Sequence, residues 1–417
     1  MKNKNSEISS SFPILLVCLA LSLLFIGVAA AGGPASEAPA GFDNLTNGFI
    51  SQSIYDADRA VFEKPETVAS GLGPIYNGQS CFECHRNPVP GGNSIISVAR
   101  AGHHDPASGM FVPAPGGVLM HVHAINPAID LNIPASENVR SRRKATSVLG
   151  DGYVEAIDDA TLLAIANSQR EESNGRIAGV VVMVPVVEAG NTLRVGRFGW
   201  KSQHASVVSF SADAYLNEEG VTNRYFPVEN TALGKSVAEY KSLADPEDER
   251  HSDGFSHLDR FVNFIRATKV PPRDEKLAAT ADARAGEQVF QRIGCGFCHV
   301  ASIQTAPAGT KINGGQYQVP EVLGDKVIHP YSDFLLHALG TGDGIPVQSG
   351  GDSTANKIRT APLWGLRTRP ELMHDGASAT PEGAILRHGG EAQLVIDEFL
   401  KLSPRQRKEL LTFLSSL

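Results

Sequence analysis

Cysteine is scarce in this chain, with five among 417 residues, and one of them, Cys18, lies inside an N-terminal apolar run. No stretch after residue 31 is apolar for long enough to span a bilayer, so no later membrane helix is expected. Positive charge is not in excess either: the formal net charge is −8, which makes the chain a poor candidate for nucleic acid. Low-complexity sequence is confined to the Ala/Pro/Gly stretch at residues 30–41. With 42 % hydrophobic residues, the chain has enough apolar content for two or three cored domains.

Lys2 and Lys4 precede an apolar run from Ile14 to Ala31 that ends in Val28, Ala29, Ala30 and Ala31. This pattern reads as a secretory signal peptide over residues 1–31, with a retained anchor as the alternative. The residues before Cys18, "LLV", lack the small residue of a lipoprotein signal, so Cys18 is set aside. The expected location is periplasmic or otherwise secreted, with no stable membrane insertion once the signal is removed. Residues 32–41 are expected to form a flexible leader.

The remaining four cysteines fall in two matching stretches. "CFECH" holds Cys81, Cys84 and His85, and "CGFCH", 214 residues further on, holds Cys295, Cys298 and His299. Four cysteines in an oxidising compartment would ordinarily form two disulfides, but disulfides have no need of an adjacent histidine. A thioredoxin-like dithiol needs one CxxC and no systematic histidine. A four-cysteine zinc site would have to pair distant motifs and would leave both histidines unexplained. A CxxC on the first turn of a helix can aim both sulfurs at the two vinyl groups of one haem, with the next histidine beneath the iron. Two covalently attached haem c groups are therefore expected, with His85 and His299 as iron ligands and no cysteine left over. A bound calcium ion is compatible with this reading but not indicated.

The two motifs divide the chain into haem domains at residues 42–270 and 283–417, with "KVPPRDEKLAATADARAGEQVFQ" marking the passage into the second. Ala285, Val289 and Ile293 have helical spacing and lead straight into Cys295. Near the C-terminus, Ser403 reads as a helix cap, Pro404 as the first helical residue, and Leu410, Leu411 and Leu414 as one apolar face. The closing helix is expected to pack on the one before Cys295. In the first half, β-branched runs around Gly190 and Asn191 predict a small hairpin. The expected fold class is mainly α, with two cytochrome c-like haem domains, long loops and that one hairpin.

The sequence also resembles the bacterial dihaem oxidoreductase family, related to dihaem cytochrome c peroxidases, over nearly the whole mature chain. The resemblance is carried by "VGRFGWKSQHASVVSFSADAYLNEEGVTN" (195–223), "HPYSDFLLHALGTG" (329–342) and "IRTAPLWGLRTRPELMHDGASATPEGAILRHGGEA" (358–392). It implies that the N-terminal haem is the reactive one and that the C-terminal haem supplies electrons received from a small electron-donor protein. Peroxide or another small oxidant would be the substrate. By the same resemblance His388 stands where relatives carry a methionine or tyrosine ligand, so it pairs with His299 on the second iron; the alternative is packing or a bond to a propionate. Trp200 matches a tryptophan lying between the two haems in relatives, and Trp364 reads as structural. Ten residues beyond that tryptophan relatives carry a glutamine, where this chain has Phe210. Glu218 or Glu219 stands near the family carboxylate. Glu218 can serve as the base for the first peroxide proton, but Phe210 cannot supply a polar group, so slow turnover is expected.

Other histidines stay open at this stage. Any of His103, His104, His121 and His123 could be a sixth ligand to the first iron, and the "HVH" of His121 and His123 also suits a separate metal ion. His374 reads as a propionate or loop-fixing residue, Met373 as core, and Arg359 and Arg367 as propionate partners. "GTGDG" at 340–344 is too weak for a phosphate loop. The leading function is a peroxidase-type oxidoreductase with Trp200 and Glu218 as catalytic residues; a plain electron carrier and a redox or gas sensor are the rival readings.

Overall fold

Two capped helices build the region around the second motif. A computed structural model describes residues 35–241, 245–247 and 250–417; the signal segment read at residues 1–31 lies outside these. The helix Ala281–Ile293 starts at Thr280, whose hydroxyl accepts from the Ala283 N–H, and stops at Gly294, which has φ +98°. It buries Ala283, Gly286, Val289, Phe290 and Ile293. Ala285, expected on that face, is only half-buried, because the buried stripe centres on Gly286. The helix Pro404–Ser415 begins at Ser403 in a capping box with Gln406, with proline at its first position.

These two helices pack together as expected, and a glycine permits the approach. A Cβ at position 286 would lie 1.9 Å from the Glu409 carbonyl oxygen, so any side chain there would force the helices apart. Phe290, Tyr331 and Phe413 interlock edge to face at 5.2 to 6.0 Å and close a small core that includes Leu410, Leu414 and Phe399. That core holds the chain leading into Cys295 in place.

A larger core belongs to the first motif. Gln52–Glu63 lies against His257–Ala267, where Phe62 meets Phe264 at 4.7 Å. Val207–Glu219 packs across them, with Tyr215 edge-on to Phe261 at 5.0 Å. This core also takes in Ile303, Ala306, Ile312, Leu323, Phe334 and Trp364 from beyond residue 283, so the two halves share apolar interior. Trp364 is buried there.

The expected hairpin forms between Met183–Val186 and Thr192–Val195, with Gly190 and Asn191 both at positive φ in the turn. The expectation of mainly helical structure with this single hairpin is corrected, since the described residues contain fourteen strands and the fold is mixed. The largest addition is an antiparallel sheet ordered Phe111–Pro113, Ser97–His104, Val139–Lys144, with Val98 opposite Arg143 and Arg100 opposite Ser141. One face of this sheet carries Val98, Arg100 and Arg143, so polar residues interrupt the alternation that normally reveals a strand.

The leader expectation also changes. From Ser36 onward the segment is held: Ser36–Glu37 pairs in parallel with Lys326–Ile328, and Gly41 N–H donates to the Val270 carbonyl. Backbone pairing of this kind needs no side-chain pattern, which is why an Ala/Pro/Gly composition hides it. Among the described residues no helix is long and apolar enough to cross a membrane.

Candidate haem centres

The second motif forms a 3-10 turn, Cys295–Phe297, directly after Gly294. His299 is half-buried, and its Nδ1 lies 2.9 Å from the Tyr331 carbonyl, which puts the proton on Nδ1 and leaves the Nε2 lone pair free. His388 repeats the arrangement, with Nδ1 2.8 Å from the Ala384 carbonyl. Burial lowers both pKa values, that of His299 to about 4, so both rings are neutral near pH 7. Cys295, Cys298, His299 and His388 line one cavity with about 1900 Å³ of space, its mouth included. Burial pushes the Cys295 thiol up to about 12, and both sulfurs are free of disulfide bonds.

The cavity is walled by apolar side chains such as Phe290, Ile396 and Leu410, and it is also lined by Arg359, which is buried, and Arg369, which is half-buried. Arg359 Nε donates to the Gly199 carbonyl and Arg369 Nη2 to the Trp364 carbonyl, while Arg369 Nε is buried without a partner. Among the described residues neither guanidinium is in an ion pair. Paired thiols, two imidazoles with free Nε2 atoms, apolar walls and two unneutralised guanidiniums fit a haem with its two propionates. Arg367, expected beside Arg359, lies elsewhere: it donates to the Pro272 and Leu417 carbonyls and stacks over Phe42. Sequence reading did not single out Arg369, two residues away.

His337 was missed too. It is buried, with Nε2 2.8 Å from Asp333, Nδ1 3.0 Å from Glu391 and Cys298 Sγ at 3.8 Å. Burial opposes its protonation, but the Asp333 carboxylate overrides this and raises its pKa well above the ordinary value. Cys298, Asp333 and His337 are the metal-type trio found among the described residues, and Cys298 and His337 of the three belong to the wall of this cavity.

The first motif is a single helical turn, Cys81–Cys84, with His85 N–H donating to the Cys81 carbonyl. Burial lowers the His85 pKa to about 4, and the Gly92 and Thr146 carbonyls lie beside its ring without reaching hydrogen-bond geometry to Nδ1. Cys81 Sγ donates to Glu219 Oε1 at 3.1 Å, and burial raises that carboxyl to about 8. Glu218 sits one residue earlier and half-buried: Oε2 accepts from Asn77 Nδ2 at 2.9 Å and Oε1 lies 4.0 Å from Arg100 Nη2. Burial is the largest influence on Glu218 and raises its pKa. Phe210 stacks on Phe198 at 5.9 Å and lies 5.8 Å from His204.

The four histidines considered for the first iron are held apart. His103 Nδ1 is 2.9 Å from Glu137, and His121 Nε2 is 3.1 Å from the Asn217 carbonyl. His104 and His123 are exposed, beside Phe111 and Tyr76 respectively. The His121 and His123 pair is not part of any metal-type cluster among the described residues.

Trp200 lines the second-motif cavity, and its Nε1 donates to the Lys144 carbonyl at 2.7 Å. The segment from Lys144 continues to Ser147, whose hydroxyl donates to the Gly91 carbonyl, and Gly91 N–H donates to the His85 carbonyl. A short covalent and hydrogen-bonded path therefore joins Trp200 to the first motif. His374 is buried edge-on to Trp200 at 6.1 Å, its Nδ1 unpartnered, and its carbonyl accepts from Lys144 N–H. Met373, expected in the core, is half-buried on the cavity wall at φ +70°.

A comparison with curated proteins returns no match. Two solved structures are similar in outline: hydrazine synthase of Kuenenia stuttgartiensis, at 12 % identity and TM-score 0.40, covering 98 % of this chain and 100 % of that one, and a MauG-like protein associated with microbial copper homeostasis, at 15 % identity and TM-score 0.41, covering 92 % and 93 %. The family model described as "Di-haem oxidoreductase, putative peroxidase" matches residues 130–417, a span that includes Trp200, Glu218, the second CxxCH and His388. With over half its length so matched, the chain belongs to the di-haem oxidoreductase family.

Proposed function

We propose that the protein is a secreted dihaem c-type oxidoreductase that reduces peroxide with electrons from a small donor protein. Cys81 and Cys84 would hold one haem by thioether bonds and Cys295 and Cys298 the other, with His85 and His299 as the proximal ligands. The observation that carries this reading is the asymmetry between the motifs. His299 faces a second neutral imidazole, His388, across one cavity, whereas the histidines near the first motif are bonded elsewhere or exposed. With both haems bound, His299 and His388 would both serve the second, which suits electron transfer, and His85 would hold the first, the one left for peroxide.

Bound haem supplies the one-electron and two-electron redox chemistry that the polypeptide lacks. The overall reaction takes one peroxide, two electrons and two protons to two waters, the electrons coming from the donor protein. His299 and His388 would hold the electron-entry haem, and their Nδ1 bonds to the Tyr331 and Ala384 carbonyls keep both rings in place. Trp200, tied to Lys144, sits on the route towards His85 and shortens the gap an electron must cross. Glu218 takes the first proton from peroxide and returns it to the departing oxygen. Apolar walls around the second motif exclude water from the electron-entry side.

Two measurements test this. The denatured protein should keep its colour on a gel and exceed its polypeptide mass by two haems; one haem or none would sink the assignment. In the electron paramagnetic resonance spectrum of the ferric protein, one low-spin and one high-spin centre are expected, and His388→Ala should turn the low-spin centre high-spin. An unchanged low-spin signal in that variant would remove His388 from the ligand set.

A further inference from the structure

The helix Val207–Glu219 has two distinct sides. Val207, Ser211, Ala212, Tyr215, Leu216 and Glu219 are buried in the core. Phe210, Asp213, Ala214, Asn217 and Glu218 recur at i, i+3, i+4, i+7 and i+8, so they share the other side, and every one of them is only half-buried. That side opens next to the first motif. The Glu218 carbonyl accepts from the N–H groups of Asn77 and Gly78, just before Cys81, and the Glu218 charge is among the influences that raise the Cys84 thiol.

Three side chains from other elements lean over this open side. His204 reaches Asp213 at 3.3 Å, His121 bonds the Asn217 carbonyl, and Arg100 enters from the inward face of its strand with Nη2 4.0 Å from Glu218. The Arg100 side chain is 14 % exposed, its Nη1 donates to the Ala99 carbonyl at 3.1 Å, and its Nη2 is left beside Glu218 at a distance too long for a hydrogen bond. Burial, the largest influence, lowers its pKa to about 10, which still leaves it charged near neutral pH. A half-buried guanidinium close to a carboxylate but not locked to it has donors to spare for a third group.

We propose that Arg100 supplies the polar contact that Phe210 cannot, its guanidinium donating to an oxygen or small anion held at the open face of the first haem while Glu218, beside it, handles the proton. The proposal rests on the reading of the first haem as the open one. A planar fork of N–H donors suits a ligand that gathers negative charge, and a cation already held in place acts without reorganising. Arg100 thereby takes the place of an amide on the helix with a cation from the neighbouring sheet.

The test is fluoride binding, which reads the contact without turnover. Fluoride is titrated into fully oxidised and half-reduced haem-loaded protein, comparing wild type with Arg100→Gln, Arg100→Lys and Arg142→Gln. Arg142 is exposed on the opposite face of the same sheet, so its variant removes an equal charge without removing a donor. Arg100→Gln should raise the fluoride dissociation constant at least about tenfold and shift the absorption band of the fluoride complex, with Arg100→Lys between it and wild type, because charge-assisted bonds to an anion are the strong class. Arg142→Gln should stay within about twofold, as an exposed charge is screened. If Arg100→Gln fails to retain haem, the lysine variant alone decides, since it keeps the charge and loses the fork. Equal effects of Arg100→Gln and Arg142→Gln would overturn the proposal while leaving an open first haem intact. Wild-type protein that binds no fluoride in either state would overturn the open-face reading and the proposal with it.

Discussion

Glu218→Gln is expected to slow the reaction with hydrogen peroxide by about 10²–10⁴-fold, the range over which a positioned general base acts. The amide keeps the size of the side chain and its bond to Asn77 Nδ2, so the change removes the proton acceptor and little else. Burial raises the Glu218 pKa, so the wild-type rate should climb with pH through a range above that of an ordinary glutamate, and this dependence should vanish in the variant. Stopped-flow mixing of peroxide with half-reduced protein at several pH values measures both. A variant as fast as wild type, with the same pH profile, would remove Glu218 from the mechanism. Phe210→Gln is the companion change: it should speed the reaction by less than the roughly hundredfold that a vacant polar contact would return, because Arg100 already donates nearby. No spectral change in wild type or either variant would leave electron transfer or sensing as the better account.

The second large effect concerns stability. Glu155→Ala is expected to cost about 3–5 kcal/mol, because it strands a buried charge. Glu155 is fully buried and accepts from Arg266 Nε at 2.7 Å, Arg266 Nη2 at 3.0 Å, Asn313 Nδ2 at 2.9 Å and Val207 N–H at 2.9 Å. One carboxylate thus ties together the helix bearing Arg266, the start of the helix bearing Glu218 and a turn from the second half of the chain. In the variant Arg266 keeps only its stacking on Tyr317, whose ring centroid is 3.8 Å away. Glu398→Ala, which breaks the exposed pair with Lys401, should leave stability close to that of wild type. Denaturant midpoints of the haem-loaded proteins compare the two; equal midpoints would mean that the buried network holds nothing. Burial alone would raise the Glu155 pKa, but Arg266 prevails and holds it below the ordinary value. The stabilisation from this pair is therefore present above the unfolded-state pKa and is lost as pH falls through the lowered folded-state value.

Helices whose pattern is local were legible from the sequence. Ser403, Pro404 and the leucines after them announce a cap and an apolar face, and the hairpin at Gly190 and Asn191 follows from turn residues between β-branched runs. Strand Ser97–His104 was not legible, because its inward face carries Arg100 and partners Arg143, and a polar inner face erases the alternation. The pairing of Ser36–Glu37 with a strand some 290 residues away was equally hidden, since backbone pairing leaves no trace in composition.

The chemistry-bearing residues divide along the same line. Attachment chemistry is local: two thiols and an imidazole must lie within five consecutive residues, so Cys81, Cys84, His85, Cys295, Cys298 and His299 could be read without any fold. His388 and Trp200 were reached through resemblance, and neither was marked by its neighbours. Arg369 in place of Arg367, His337 clamped between Asp333 and Glu391, and Arg100 beside Glu218 became visible only in three dimensions. The sequence by itself determined where the two CxxCH motifs stand, because the attachment chemistry we propose for them depends on fixed spacing along the chain. The tertiary structure alone decided which distant charges stand beside each motif, because burial and close approach, set by packing, are what give a guanidinium or a carboxylate its strength.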